Sequence, residues 1–391
     1  MAHINLGIIG IGNMGSGHAK NISSGRCPEI RIAAIADNNP ERLAWAKEQG
    51  YGDDIAFFDN AIDMLDSGKI DACIICVPHY DHPTFAIECM KRSIHVMVEK
   101  PAGVYTKQVL EMNRVADEHP EVKFGLMFNQ RTNCVYRKMR EMIQSGDFGQ
   151  IRRVNWLITT WFRTQAYYDS GSWRATWAGE GGGVLLNQCP HQLDLMQWIC
   201  GMPKKVNTKL LYGAWHDIEV EDDVTAILEY ENGATGVFIT STGDIAGTNR
   251  FEVQTDKAKF VVENDILTVE EYAVSAPEHT KTCTGGFAKP EITKYEPETD
   301  GENPQHVGVL NAWANAILHG GDLIADGREG INEVRLSNAM HLSAFLGKEV
   351  EIGFDDDLYF EELSKRIAAS KAKEGQSTFL DTDAVLGSTK S

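Results

Sequence analysis

Positive charge is scarce in this chain. Its 391 residues carry 37 Lys and Arg against 56 Asp and Glu, a formal net charge of −19. Nucleic acids and anionic membrane surfaces are bound by clustered basic side chains, so neither is expected as a partner. Long apolar runs are missing as well: no stretch approaches the ~20 residues of a membrane span. The opening "MAHINLGIIGIG" has no basic n-region and no cleavage-site pattern, and a cytoplasmic location is expected. The eight cysteines, at 27, 73, 76, 89, 134, 189, 200 and 283, are too scattered for a disulfide framework or paired zinc spacing. Cys73 and Cys76 match C-x-x-C, yet in a strand an offset of three points side chains to opposite faces, so they read as buried thiols. There is no internal repeat and no low-complexity segment.

What remains is a globular composition, 42% hydrophobic and 24% charged, in a chain long enough for two cores. The first third alternates strand and helix signals. "INLGIIG", "IRIAAIAD", "AFFD", "DACIICVP", "HVMVE" and "VKFGLMF" read as strands, the apolar runs being those of parallel strands buried on both faces. Helical segments near 59–67, 82–92 and 106–118 fall between the later strands. The expectation is an α/β, doubly wound Rossmann domain over residues 1–127.

Between the first strand and first helix lies "GIGNMG", residues 10 to 15. Such a glycine pattern is weak alone; following an apolar strand and opening a helix, it stands in the context a dinucleotide site requires. Gly10 allows the tight turn, Gly12 the approach of a pyrophosphate, and Gly15 the packing of helix on strand. Ile11, Asn13 and Met14 complete the loop, whose helix-start N–H groups face the phosphates. Asp37 ends the second strand, where a carboxylate takes the ribose hydroxyls. Asn38 and Asn39 follow it, not the Arg or Lys that would receive a 2′-phosphate, so NAD is favoured over NADP. Two further strands end at Pro78 and at "EKP", Glu99 to Pro101, on the same face of the sheet. Lys100 is thereby placed to reach the nicotinamide edge of the cofactor.

The glycine fingerprint, "VP…H…A" and "EKP" together resemble the glucose–fructose oxidoreductase/inositol dehydrogenase/rhizopine catabolism (Gfo/Idh/MocA) family. "MFNQRTNCVYRKMREMIQSGDFGQI", "GEGGGVLLNQCPHQLDLMQWICG" and "LNAWANAILHGGDLIADGREGINEVRLSNAMHLSA" extend the resemblance over roughly residues 4–350. It implies a C-terminal α/β domain with a large, mostly antiparallel sheet, here residues 128–369; residues 370–391, polar and rich in Ser, Thr and Lys, read as a loosely held tail. "AILEY-ENG-ATGVFIT" reads independently as a hairpin within that sheet. The resemblance places Pro78, His82, Glu99 and Lys100 beside the cofactor. It also implies that His191 accepts the substrate proton, with Lys100 nearby. The family's second signature usually reads Asp, three residues, then His. Here the aspartate position is Asn187, an amide that can donate and accept hydrogen bonds but supplies no charge. If this stretch is helical, Asn187 and His191 project from one face. Asp194, one turn on, is either an orienting group for His191 or a structural carboxylate.

Five of the eight tryptophans, 156, 161, 173, 177 and 198, lie around this second signature. Sugar C–H faces stack on aromatic rings and hydroxyls seek polar partners, so Trp161, Trp173, Arg163, Arg174 and Asn187 are candidate substrate ligands. Trp177 is a candidate pocket wall, while Trp156 and Trp198 read as core. His79 and His82 have no third ligand set, and no metal is expected. The expected activity is an NAD-dependent dehydrogenase of a sugar, glycoside or cyclitol hydroxyl. The alternatives are a redox-neutral enzyme that recycles bound NAD to oxidise a glycoside ring at C3 and eliminate its substituent, and a non-catalytic dinucleotide sensor. Apolar residues on both sides of the "TAILEY"/"GVFIT" hairpin predict a homodimer or homotetramer.

Overall fold

The computed structural model describes residues 3–52, 54–371 and 373, so most of the expected tail lies outside the described residues. The first sheet contains β1 (Ile4–Ile9), β2 (Ile30–Ala36), β3 (Ala56–Phe58), β4 (Ala72–Ile75), β5 (His95–Val98) and β6 (Phe124–Leu126). Their order is β3-β2-β1-β4-β5-β6, every pair parallel. The order reverses between β1 and β4, which opens a crevice at their carboxyl ends. Alternate side chains enter two separate cores, as burial on both faces requires. Ile9, Ala36, Cys73, Ile75 and Val98 share one; Leu6, Ile8, Ile35, Ile74 and Met97 share the other, and Cys76 packs against this second core. Cys73 and Cys76 thus face opposite ways, and all eight cysteines are free thiols.

The second sheet contains β7 (Ile151–Ile158), β8 (Lys205–Tyr212), β9 (Glu221–Glu229), β10 (Thr235–Ser241), β11 (Asn249–Thr255), β12 (Ala258–Glu263), β13 (Ile266–Tyr272), β14 (Ile292–Tyr295) and β15 (Val350–Glu351). The order is β14-β13-β12-β11-β7-β10-β9-β8-β15, antiparallel except for the parallel pair β7 and β10. The expected hairpin joins β9 to β10, its turn carrying Gly233 at φ +81°. One face is buried: Trp156 stacks on Phe251 at 4.1 Å, among Val154, Ala226, Leu228 and Phe238. On the other, Ile227 is 56% exposed and Leu157 36%.

Helices from the end of the chain bind the two sheets together. The helix Gln305–His319 inserts Val309, Leu310 and Trp313 into the core beneath β1, and Trp313 donates to the Lys123 carbonyl at 3.0 Å. The helix Gly330–Leu346 sends Val334 into the first sheet's core and Leu336, Ala339 and Met340 into the second sheet's. Its Asn338 accepts from the Thr106 N–H at 3.0 Å and donates to the Val104 carbonyl at 2.9 Å. Among the described residues no helix is long and apolar enough to cross a membrane.

Candidate active site

The three glycines of the loop after β1 have different surroundings. Gly10 adopts φ +88°, and a Cβ there would lie 2.6 Å from the Cys76 carbonyl oxygen. A Cβ on Gly15 would lie 2.0 Å from the Gly10 carbonyl oxygen, so the helix Asn13–Ser23 packs on the turn at glycine distance. A Cβ on Gly12 would meet nothing within 4 Å. That open space, above a helix start without a side-chain cap, fits the pyrophosphate of a dinucleotide. Asn13 and Met14 are the first helical residues. Asp37 accepts from the Ile11 N–H and from the Asn39 N–H, both at 2.8 Å. Each carboxylate oxygen keeps lone-pair capacity for a ribose hydroxyl. Ile11 has its amide engaged by Asp37 and its side chain fully buried, and so shapes the loop from within.

Across the crevice, His82 is 1% exposed, with Nδ1 2.7 Å from the Pro101 carbonyl and Nε2 2.8 Å from the Val77 carbonyl. It braces the ends of β4 and β5 against each other, beside Pro78, which opens a single turn over His79–Asp81. The Lys100–Pro101 peptide bond is cis. Glu99 is buried, with Oε1 2.6 Å from His18 Nε2, and its Oε2 accepts from the Lys100 N–H at 3.1 Å. Burial opposes its ionisation, but the His18 hydrogen bond and neighbouring positive charge outweigh this and hold the carboxyl at about 2. His306 stands edge-on to His18 at 5.5 Å. Burial, aided by His18, pushes His306 down to about 4.

Lys100 Nζ donates to the Asn187 carbonyl at 2.8 Å. Burial lowers its pKa, while Glu99, Glu333 and Glu180 favour the charged form. His191 occupies the first turn of the helix Pro190–Cys200, with Nδ1 buried and without a protein partner. Burial first, then the Lys100 charge, then His306, keep it well below the ordinary imidazole range. A neutral imidazole beside a cation is the result. Asn187 does not share the helical face that the four-residue spacing suggested: Pro190 starts the helix, and residues 183–189 form turns before it. Its side chain points elsewhere, Nδ2 donating to Glu180 Oε1 and Oδ1 accepting from the Tyr167 hydroxyl at 3.4 Å. Asp194 does not orient His191 either. It makes a paired salt bridge to Arg131, at 2.8 and 2.7 Å, and is structural.

The glycine run before this helix is tied to β9. Glu221 Oε1 accepts from the Gly183 and Leu185 N–H groups at 2.9 and 3.1 Å, and a Cβ on Gly183 would lie 1.9 Å from the Glu221 carbonyl oxygen. Around Asn187 the aromatic residues divide. Trp173 meets His79 edge-on at 5.6 Å, and Arg174 lies 4.6 Å over Trp173. Trp161 packs against the second sheet's core, half-buried, with Arg163 6.0 Å over its ring. Trp177 is no pocket wall: it is 6% exposed within a hydrophobic cluster, its indole N–H donating to the Glu219 carbonyl at 3.1 Å. Trp156 lies in the core, and Trp198 packs between Arg131 and Arg140.

Sequence reasoning passed over Tyr167, Glu180, His18 and His306. Glu180 stands directly before the three glycines and could have been suspected. Burial raises its pKa, and its Oε2 accepts from the Ala175 N–H at 2.6 Å. The other three carry no local signal.

Known proteins share this architecture. Residues 4–125 match an oxidoreductase family with an NAD-binding Rossmann fold, and residues 136–261 match the GFO/IDH/MocA C-terminal domain. The rhizopine catabolism protein MocA of Rhizobium meliloti is 26% identical over 201 residues, 51% of this chain and 58% of that protein. The D-glucoside 3-dehydrogenase of Escherichia coli (strain K12) is 25% identical over 349 residues, 83% of this chain and 91% of the relative. Among solved structures, the WlbA dehydrogenase of Bordetella pertussis, in complex with NADH and UDP-GlcNAcA, superimposes with a TM-score of 0.74 at 25% identity. That match covers 90% of this chain and all of the other. With a match in each of its two domains, the chain belongs to the GFO/IDH/MocA oxidoreductase family and its cofactor is NAD.

Proposed function

We propose that this protein is a dehydrogenase of a secondary hydroxyl on a sugar, glycoside or cyclitol. The observation that carries the reading is the pairing of Lys100, anchored on the Asn187 carbonyl, with His191, held neutral by burial and by that same lysine. NAD, when bound, supplies the hydride acceptor. Gly10, Gly12, Gly15, Asn13, Met14 and Asp37 hold it, while Pro78, His82 and Glu99 shape the crevice at the reacting end. His191 accepts the hydroxyl proton, a task for which an unprotonated imidazole is required. Lys100 donates a hydrogen bond to the same oxygen and stabilises the negative charge that develops there. Asn187, Trp161, Arg163, Trp173 and Arg174 surround the sugar. The D-glucoside dehydrogenase activity named for a relative supports this substrate class.

The test is spectrophotometric. Purified protein with NAD and a panel of sugars, glycosides and cyclitols is expected to accumulate reduced nicotinamide with at least one of them. No absorbance change across the panel would overturn the assignment. We also propose a homo-oligomer in the cytoplasm, assembled through the face of the second sheet that exposes Ile227 and Leu157.

A further inference from the structure

In a chain with this surplus of carboxylates, arginines have many partners to choose from, and Arg92, Arg131, Arg137 and Arg250 each pair with at least one. Arg163 and Arg174 are among those that do not, as are Arg26, Arg31 and Arg140, which bond to amides or a carbonyl. Among the described residues, neither the Arg163 nor the Arg174 guanidinium has a carboxylate within ion-pair distance. Arg163 Nη1 donates to the Trp161 and Phe162 carbonyls at 3.3 and 3.0 Å, and Arg174 Nη1 donates to the Tyr167 hydroxyl at 3.0 Å. Both guanidinium groups lie against the same ring, 5.1 and 4.7 Å from the centre of Tyr167.

Two like charges are thus gathered on one tyrosine. The fold fixes them there. The Arg163 N–H donates to the Thr242 carbonyl at 2.9 Å, and its own carbonyl lies 2.9 Å from His216 Nε2, a ring held in turn by buried Asp222. The Arg174 N–H donates to the Gly171 carbonyl at 3.2 Å. Glu180, the nearby carboxyl, is already engaged by Asn187 and by the Ala175 N–H, and burial disfavours its charge. Lys100 has ionised Glu99 beside it, whereas the two guanidinium groups face at most the one carboxyl of Glu180. Tyr167 links this cluster through its hydroxyl to Asn187, whose carbonyl anchors Lys100. The unmatched charge lies beside the reacting centre, and it opposes the repulsion that a net charge of −19 exerts on any approaching anion.

Resting on the dehydrogenase reading, we propose that the substrate carries an acidic substituent, a carboxylate or a phosphate. Arg163 and Arg174 bind it, while its hydroxyl meets Lys100 and His191. A guanidinium fork matches either group by paired, charge-assisted hydrogen bonds, and a neutral polyol would leave both cations unmatched.

The test uses the full chain loaded with NAD and two matched pairs of probes. Methyl glucuronide against methyl glucoside reads the carboxylate arm; inositol monophosphate against myo-inositol reads the phosphate arm. Binding is measured by calorimetry and turnover by NAD reduction. In one arm the acid is expected to bind at least ~10-fold more tightly than its neutral partner, as a charged hydrogen-bonding group allows. Raising the salt concentration is expected to erode that preference. In Arg163→Gln/Arg174→Gln the ratio is expected to collapse to about unity. Arg174→Lys, which keeps the charge but loses the fork, is expected to lie between. No acid preference in either arm, or one that survives high salt or the double substitution, overturns the proposal. Arginine-dependent acid binding without NAD reduction removes the dehydrogenase reading and leaves this one. Equal turnover of acid and neutral probes does the reverse.

Discussion

Lys100 and His191 are coupled, and the coupling has a sign. The lysine's positive charge makes protonation of the imidazole harder, so His191 remains a base to pH values below its ordinary range. The acid limb of the kcat/KM profile is accordingly expected below about pH 6.5. In Lys100→Met the imidazole gains protons more easily, and the limb is expected to move to higher pH. A limb that stays put would show that the two groups do not interact. Turnover itself is expected to fall on the order of 10²–10³-fold in Lys100→Ala, as for loss of one preorganised donor at a developing oxyanion. NAD affinity, measured by titration, should change far less. Lys100→Arg is expected not to restore turnover fully, since a planar fork replaces a compact ammonium. Gly12 and Gly15 separate binding from folding. Gly12→Ala meets no protein atom, so its Tm is expected to match the parent while NAD affinity drops at least ~10-fold. Gly15→Ala collides with the Gly10 carbonyl and is expected to lower both. Gly12, Gly15 and Lys100 stood out in sequence because each lies in a short pattern at a strand end, and His191 because of the family resemblance. Tyr167 did not. Nothing within "TQAYYD" distinguishes the tyrosine that collects two arginines and Asn187 from Tyr168 beside it, which is buried against Thr242.

At the level of elements, local signals placed strands and helices well where burial on both faces gave continuous apolar runs. They left one helix start open. "VLLNQCPHQLDLMQW" has helical periodicity throughout, but Pro190 fits a first turn, and the Gly183 clamp to Glu221 holds the preceding residues in turns. The amide of Asn187 therefore faces Glu180 and not the histidine. The helix Gly330–Leu346 carries a separate oddity: Glu333 is fully buried, and neither carboxyl oxygen has a hydrogen-bond partner within the protein. Burial, reinforced by Asp194, raises its pKa well above the usual carboxylate range. A raised value means the protonated form is favoured on folding. That contribution is complete below about pH 4.3, where the unfolded chain is protonated too, and is lost as pH rises towards the folded value. Glu333→Gln, which cannot ionise, is expected to exceed the parent in Tm by a few degrees at neutral pH and by little at pH near 4. Calorimetry across that range decides it; a constant offset would mean that ionisation of Glu333 plays no part.

The molecule as a whole leaves one side of its second sheet partly apolar, with Ile227 at the centre of the β9–β10 hairpin and Leu157 on β7. The proposed homo-oligomer would bury these aliphatic side chains between copies of the chain. The protein is expected to elute above the mass of one chain at micromolar concentration, and Ile227→Glu to shift it towards one chain. Elution of the parent as a monomer would refute the assembly. The same scale shows why the two sheets are easier to see in sequence than the boundary between their cores. Strands are written consecutively, 4–126 and then 151–351, whereas Trp313 returns from the far end of the chain to lie under β1.

That return fixes an order of events during synthesis. When β6 leaves the ribosome, every strand of the nucleotide-binding sheet has been made, yet the surface that Val309, Leu310 and Trp313 will cover is still bare. The nascent chain must keep this unfinished surface out of contact with other chains while the entire β7–β14 region is translated. Completion of the first core, and with it a firm seat for the glycine loop after β1, therefore waits for nearly the last helix to emerge.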